Sequence, residues 1–407
     1  MKNVVFLVSS VYPMDNGRAL GSYGYCKGFS KYSNMKIFST LPYFIPKEEA
    51  YEAFGGDVDI EFFQESSNKV IRGISSFGQR IIFKIFGTIE PINPAMYHAV
   101  ADYIKNNKVD LVIFDHFAMS NYFWKLKKHF PDVTYVYNSH NVEAVNYYQQ
   151  LTGKSIEGTE DRELSFNNRL QKSMYQYYVK REKEVLQAAD YTIALSRNDQ
   201  KHLSERYQIS MDKMLWTKPM ATFKCIKTLE DMKEFHYKLL IVGTMGWYPN
   251  SRGAMWFVDE VFSKIIEKKP QYQLYIVGRD PAPELIELSR TYSGHVIVTG
   301  AVDSMDPYFK MCDISIIPSF DGTGIKTKVL ESMGNGIPTL CSGFAAKDYD
   351  VTEEVAIADT PQEFIDHIYR MEESAEVREQ YYLKMKEYCD RFYDLTDDLK
   401  ELLDVKG

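Results

Sequence analysis

Pro318 to Cys341, PSFDGTGIKTKVLESMGNGIPTLC, reads as the exit of a buried strand, a glycine-rich turn and a short helix. The turn Asp321, Gly322, Thr323, Gly324 frees backbone N–H groups and lets them approach a ligand closely, and a helix N-terminus adds partial positive charge, so a phosphate fits there. Lys326 and Lys328 place full charges beside it. A helical turn takes about 3.6 residues, so Lys328 and Glu331 are neighbours, and Glu331 falls about two turns beyond the loop, where a carboxylate suits ribose hydroxyls.

Outward from this stretch, short apolar runs alternate with amphipathic segments, the signature of βαβ units and parallel sheets. Strands are predicted near Val4 to Val8, Lys36 to Ser39, Leu111 to Phe114, Thr134 to Tyr137 and Tyr191 to Leu195, and again near Leu239 to Val242, Leu274 to Val277, Val296 to Val298, Ile314 to Ile317 and Thr339 to Cys341. This is an α/β chain of two Rossmann-like domains, residues 1–220 and 221–375, with the linker in Trp216 to His236 around Pro219. The charged helical tail 376–407 is expected to return to the first domain. The first strand is not followed by G-x-G-x-x-G, which disfavours an NAD-dependent enzyme.

At 407 residues the chain exceeds what one core usually serves. A net charge of -8 gives no reason to expect nucleic acid as a partner. The five cysteines are scattered and lack C-x-x-C spacing, which points to a reducing compartment and to neither a disulfide framework nor zinc. The N-terminal apolar run is too short for a membrane span and reads as a buried strand.

The pattern G-x-G-x-K-x-K-x-x-E-x-M-x-x-G-x-P resembles the donor-site helix of glycosyltransferase family 4, retaining enzymes of the GT-B fold. The resemblance implies two Rossmann-like domains facing each other across a cleft, an N-terminal acceptor domain and a C-terminal donor domain. It implies a hexosyltransferase that moves sugar from a nucleotide-diphosphate donor to a glycan or lipid-linked glycan. By analogy with one branch of the family, that glycan belongs to cell-surface polysaccharide or glycolipid assembly, at a cytoplasmic site or peripherally on the cytoplasmic membrane face. Donor contacts are then expected from Gly17, Gly243, Thr244, Arg279, Val302, Gly322, Thr323, Gly324, Ile325, Lys326, Lys328 and Glu331. The catalytic set is His116, Lys326 and Glu331.

In open α/β sheets ligands bind beyond the carboxyl ends of strands. The loop Tyr12 to Arg18, YPMDNGR, resembles the family's first-domain loop, with Asn16 in place of one glycine. Gly17 would let the backbone approach donor phosphates or acceptor, and Arg18 is an acceptor-side candidate. His116 closes the third predicted strand, where family members carry a histidine that contacts the transferred sugar; the other reading pairs it with Asp115. His140, Asn141 and Glu143, in a segment resembling H-N-x-E, either bind acceptor hydroxyls or cap the next helix. Arg181, Glu182, Ala189, Asp190, Ser196 and Asp199 match further branch signatures and read as structural.

Ile241 to Asn250, IVGTMGWYPN, resembles the branch's V-G-x-M-x-W-x-P-N, but Thr244 stands where many family members have a phosphate-binding arginine, with Arg252 as a substitute candidate. Gly278, Arg279, Gly300, Ala301 and Val302 lie where related enzymes hold the nucleobase. Thr323 stands where the family's first glutamate would be, which leaves backbone groups or Asp321 for sugar hydroxyls. No metal cofactor is expected, because cationic side chains and helix ends neutralise the leaving diphosphate; Asp57 and Asp59 fit D-x-D but lie far from the donor helix in sequence. Asn68 to Thr88 carries Lys69, Arg72, Arg80 and Lys84 among apolar residues and reads as an interfacial membrane helix or a core-packed one. Thr323 and Thr244 also motivate a catalytically silent GT-B partner protein, and the fold also admits a nucleotide-sugar epimerase or phosphorylase.

Overall fold

The computed structural model describes residues 1–9, 11–12, 17–54, 58–65, 92–152, 169–217, 225–321, 325–349, 351, 353–391 and 395–404. The chain divides into two compact units, Met1–Met220 with Asp394–Gly407, and Ala221–Tyr393.

Unit 1 is built on strands β1 (Asn3–Val8), β2 (Asn34–Leu41), β3 (Asp59–Gln64), β4 (Leu111–Asp115), β5 (Thr134–Ser139), β6 (Tyr191–Ala194) and β7 (Met214–Trp216). They form one seven-stranded sheet in the order β3-β2-β1-β4-β5-β6-β7, and the pairings are parallel. Val5 lies between Lys36 of β2 and Val112 of β4. The central strands are apolar without alternation because helices cover both faces, and Val4 to Val8 and Leu111 to Phe114 are all buried. The helix Pro94–Asn106 packs Met96, Val100 and Ile104 into this core, and it starts where Asn93 accepts from the Ala95 and Met96 amides at 3.1 and 3.3 Å.

Unit 2 repeats the winding with β8 (Lys238–Val242), β9 (Gln273–Val277), β10 (Val296–Gly300), β11 (Ile314–Ile317), β12 (Thr339–Cys341) and β13 (Ala356–Ile357), in the order β10-β9-β8-β11-β12-β13. In both units the strand order reverses once, between β1 and β4 and between β8 and β11, and ligands bind above such switch points. Ten strands fall where the sequence pattern puts them. The pattern did not register β3, β7 and β13, which lie at the ends of the two sheets, and β7 and β13 are only three and two residues long.

The tail divides differently from the expectation for 376–407. The helix Ala375–Arg391 stays on unit 2, where the buried Arg378 guanidinium donates to the Met232 and Lys233 carbonyls at 2.8 and 3.1 Å. The helix Asp397–Asp404 joins unit 1, burying Leu399, Leu402 and Leu403, and Thr396 Oγ1 donates to the Trp216 carbonyl at 3.0 Å. At the junction, the Thr217 amide still bonds to Ala194 of β6, and the Lys227 amide already bonds to Asn335. Pro219 lies outside the described residues, as do Asp57 and Asn68 to Thr88. Asp59 pairs with Lys36 at 2.7 Å. Among the described residues no helix is long and apolar enough to cross a membrane.

Candidate active site

The loops after β8, β9 and β10 are tied together by backbone hydrogen bonds. The Gly243 amide donates to Val277 O at 3.1 Å, Gly278 to Gly300 O at 3.2 Å, and Met245 to Arg279 O at 2.9 Å. Gly243 and Gly278 both have φ of 152°, where a side chain is strained, and a Cβ on Gly278 would lie 1.6 Å from the Gly243 carbonyl oxygen. These loops close only with glycine at the contact.

Into this opening comes Lys328, the first residue of the helix Lys328–Gly334 that follows β11. Its Nζ donates to Asn250 Oδ1, and a Cβ on Gly243 would lie 2.7 Å from that Nζ. Asn250 in turn donates from Nδ2 to the Thr244 carbonyl at 2.9 Å. The amide side chain thus ties the β8 loop to the lysine of another element. Glu331 lies one turn along from Lys328. The helix begins later than the sequence suggests, so Glu331 is in its first turn and not two turns in; Ile325 is buried, and Thr327 turns back to donate to the Ile325 carbonyl at 3.1 Å before the helix starts.

Burial, and then the charge of Lys326, push the Lys328 ammonium down to about 7, against the pull of Glu331. Burial pushes the Glu331 carboxyl up to about 7 against the pull of Lys328. A doubly charged ligand phosphate at Gly243 would supply what the lysine lacks.

Arg252, the substitute candidate for the phosphate position, is engaged elsewhere in this structure. Its Nη1 pairs with Asp321 at 2.8 Å, which also engages the carboxylate left for sugar hydroxyls. The two residues line a cavity of about 270 Å³ with Trp256, Phe320 and Asp359. Of the remaining donor-side candidates, Arg279 is exposed, Val302 packs part-buried against the Val242 and Val277 cluster, and Lys326 Nζ lies 5.3 Å over the Phe344 ring. Gly322, Thr323 and Gly324 lie outside the described residues. Gly17 opens the helix Gly17–Tyr32 in unit 1; the Arg18 side chain lies outside what is described.

Unit 1 gathers a second cluster at the ends of β4 and β5. Asp115, 1% exposed, accepts from Ser22 Oγ at 2.5 Å, Asn138 Nδ2 at 2.6 Å and His140 Nε2 at 2.8 Å. Burial alone would raise the Asp115 carboxyl, but the charge and hydrogen bond of His140, with Ser22, outweigh it and hold the carboxyl below its usual range. Asp115 thus bonds to His140, 25 residues on in the chain, and the charge of the adjacent His116 adds to the lowering. His116 Nδ1 accepts from the Ala118 amide at 3.2 Å, and its Nε2 lies 3.3 Å from Glu143 Oε1. The His116 backbone sits at φ 68° and ψ 157°, a region held almost only by glycine. Such strain at a strand end is retained where a side chain must point a particular way.

Neither His140 nor Asn141 caps the following helix Glu143–Thr152. Its first two amides, of Glu143 and Ala144, donate to Glu182 at 2.6 and 3.2 Å. Asn141 Nδ2 reaches Glu143 Oε1 at 3.5 Å. Ser196 does cap its helix, accepting from Asp199 N at 2.8 Å. Sequence reasoning missed Asn250 and Glu182 as site-shaping residues. The signal for Asn250 was its place in the first helical turn after the W-x-P motif.

Residues 236–374 match the family model described as "Glycosyl transferases group 1". The solved structure of HepE from Anabaena, in complex with UDP, superposes with a TM-score of 0.61 at 13% identity over 99% of both chains. A glycosyltransferase from Rickettsia africae gives 0.63 at 13% identity, covering 99% of this chain and 97% of that one. Sucrose-phosphate synthase from Thermosynechococcus elongatus gives 0.61 at 14%, covering 97% and 95%. No curated protein matches the chain. The fold is GT-B, two Rossmann-like units in one chain, and the match across unit 2 supports a glycosyltransferase.

Two variants test the strain and charge in these clusters. Because the folded value of Lys328 is depressed, its contribution to stability is present above the ordinary lysine value and is lost as pH falls through about 7. Lys328→Met should therefore raise the melting temperature of the empty protein, and by more at about pH 6 than at about pH 9. His116→Gly should be about 1–3 kcal/mol more stable than His116→Ala in urea unfolding, reversing the usual order of the two residues.

Proposed function

We propose that the chain is a hexosyltransferase that takes sugar from a nucleoside-diphosphate donor bound by unit 2. The acceptor is a glycan or lipid-linked glycan of cell-surface polysaccharide or glycolipid assembly, bound by unit 1 in the cytoplasm or at the cytoplasmic membrane face. The observation that carries this reading is the Lys328 ammonium, held by Asn250 against the side-chain-free Gly243, with Glu331 one turn further along the same helix. A diphosphate beside Gly243 meets a cation, and a ribose meets a carboxylate. Arg279, Gly300 and Val302 are assigned to the base.

In the proposed reaction the acceptor oxygen bonds to the anomeric carbon as the bond from that carbon to the diphosphate oxygen breaks. The acceptor proton passes to the departing phosphate, and attack on the face that the diphosphate leaves retains the anomeric configuration. Lys326 and Lys328 oppose the charge that grows on the diphosphate, the task a divalent metal has in other transferases, so the reading includes no metal. His116 helps to position the transferred sugar, and Arg18, His140, Asn141 and Glu143 are the acceptor-side residues of unit 1.

UDP is the first nucleotide to test, since the HepE structures hold UDP and UDP-glucose. Calorimetric titration with UDP, GDP, dTDP, ADP and CMP should give saturable binding to one of them, reduced at least about tenfold in Glu331→Ala. The matching sugar nucleotide should then be consumed only when a glycan acceptor is added. Consumption without acceptor would instead mean an epimerase, binding without any turnover a silent partner protein, and no binding would remove the reading altogether.

A further inference from the structure

His116 is held at three points. Its backbone is fixed in a glycine-like conformation, Nδ1 takes the Ala118 amide at 3.2 Å, and Nε2 faces Glu143 at 3.3 Å. Since Nδ1 accepts, a neutral His116 carries its proton on Nε2, directed at the Glu143 carboxylate. The histidine and the carboxylate are only 16% and 9% exposed, so their interaction is weakly screened.

Glu143 is the first residue of its helix, and where it sits depends on how that helix begins. The opening amides of a helix have no partner within it. Here the two amides of Glu143 and Ala144 are bound by Glu182, whose Oε2 also accepts from Tyr207 Oη at 2.5 Å. Glu182 comes from the middle of the helix Arg169–Ala188, and Tyr207 ends the helix Arg197–Tyr207. A Ser or Asp just ahead of the helix would cap it locally, with little burial. This chain instead buries a whole carboxylate, 0% exposed, and pushes it up to about 7 by that burial, against its hydrogen bonds from Tyr207 and the two amides and the charge of Arg206. Three donors converging on one fully buried carboxylate fix the helix start more tightly than a surface cap does.

We infer that Glu182 is a positioning residue, which clamps the first two amides of the Glu143–Thr152 helix and thereby holds the Glu143 carboxylate against His116. The groups around this chain of contacts are Asp115 and His140 on the His116 side, and Tyr137, Tyr207 and Arg206 on the Glu182 side. Its consequence for transfer rests on the function proposed above; the contact itself does not.

The test is a histidine ring-proton titration by NMR of the full chain, with His116 assigned by loss of its signal in His116→Ala. Removing the neighbouring carboxylate in Glu143→Gln should move the His116 midpoint to lower pH. Glu182→Gln, whose amide would turn donors towards donors, should move it the same way, and the double variant should move it no further than Glu143→Gln alone. His140, which bonds to Asp115, should keep its curve in each. Glu182→Asp keeps the charge but draws it back by one methylene, and it is expected to shift His116 likewise if the Gln variant does not fold. A His116 midpoint unchanged in these Glu182 variants, with only a lower melting temperature, would overturn the inference and leave Glu182 a fold residue. Should the chain transfer no sugar at all, the titration still decides. If it does, Glu182→Gln should lower the transfer rate as Glu143→Gln does while UDP affinity stays at the wild-type level.

Discussion

Gly278 lies so close to the Gly243 carbonyl that no side chain fits between them, and this contact sets how the loops of unit 2 meet. It draws the loops after β8 and β9 together beside the point between β8 and β11 where the strand order reverses. A lysine can then reach in from the helix after β11, and Asn250 holds it there by bonding to it and to the β8 loop together. Replacing either glycine would push apart the parts that meet at this point.

Both clusters carry charge that the fold alone would not select. Lys328 and Glu331 are each shifted towards neutrality by burial, and Glu182 is buried entirely. Apolar residues of similar size would pack there without the cost of removing a charge from water. The strained backbone of His116 adds to that cost.

The architecture was legible because parallel sheets covered on both faces write themselves as unbroken apolar runs, as Val4 to Val8 and Leu239 to Val242 do. Of the edge strands only Val296–Gly300 was: Ala356–Ile357 is two residues long and carries no period, and Asp59–Gln64 mixes charged residues with apolar ones. Local motifs named Gly243, Lys328 and Glu331, because a glycine turn and a helical spacing are short-range signals. Partnerships across the chain were invisible. Nothing in the sequence tells that Asp115 bonds to His140, that Arg252 turns to Asp321, or that a glutamate 39 residues away caps the Glu143 helix. The tail was read correctly for Asp397–Asp404 and not for Ala375–Arg391, since the carbonyls that hold Arg378 lie about 145 residues earlier.

The most direct measurement is a crystal structure of the full chain grown with UDP. The account predicts the diphosphate over Gly243, within hydrogen-bonding distance of Lys328 Nζ, and the ribose hydroxyls on the Glu331 carboxylate. Nucleotide bound elsewhere in unit 2 with Lys328 still on Asn250 alone, or no nucleotide at saturating concentration, would contradict it.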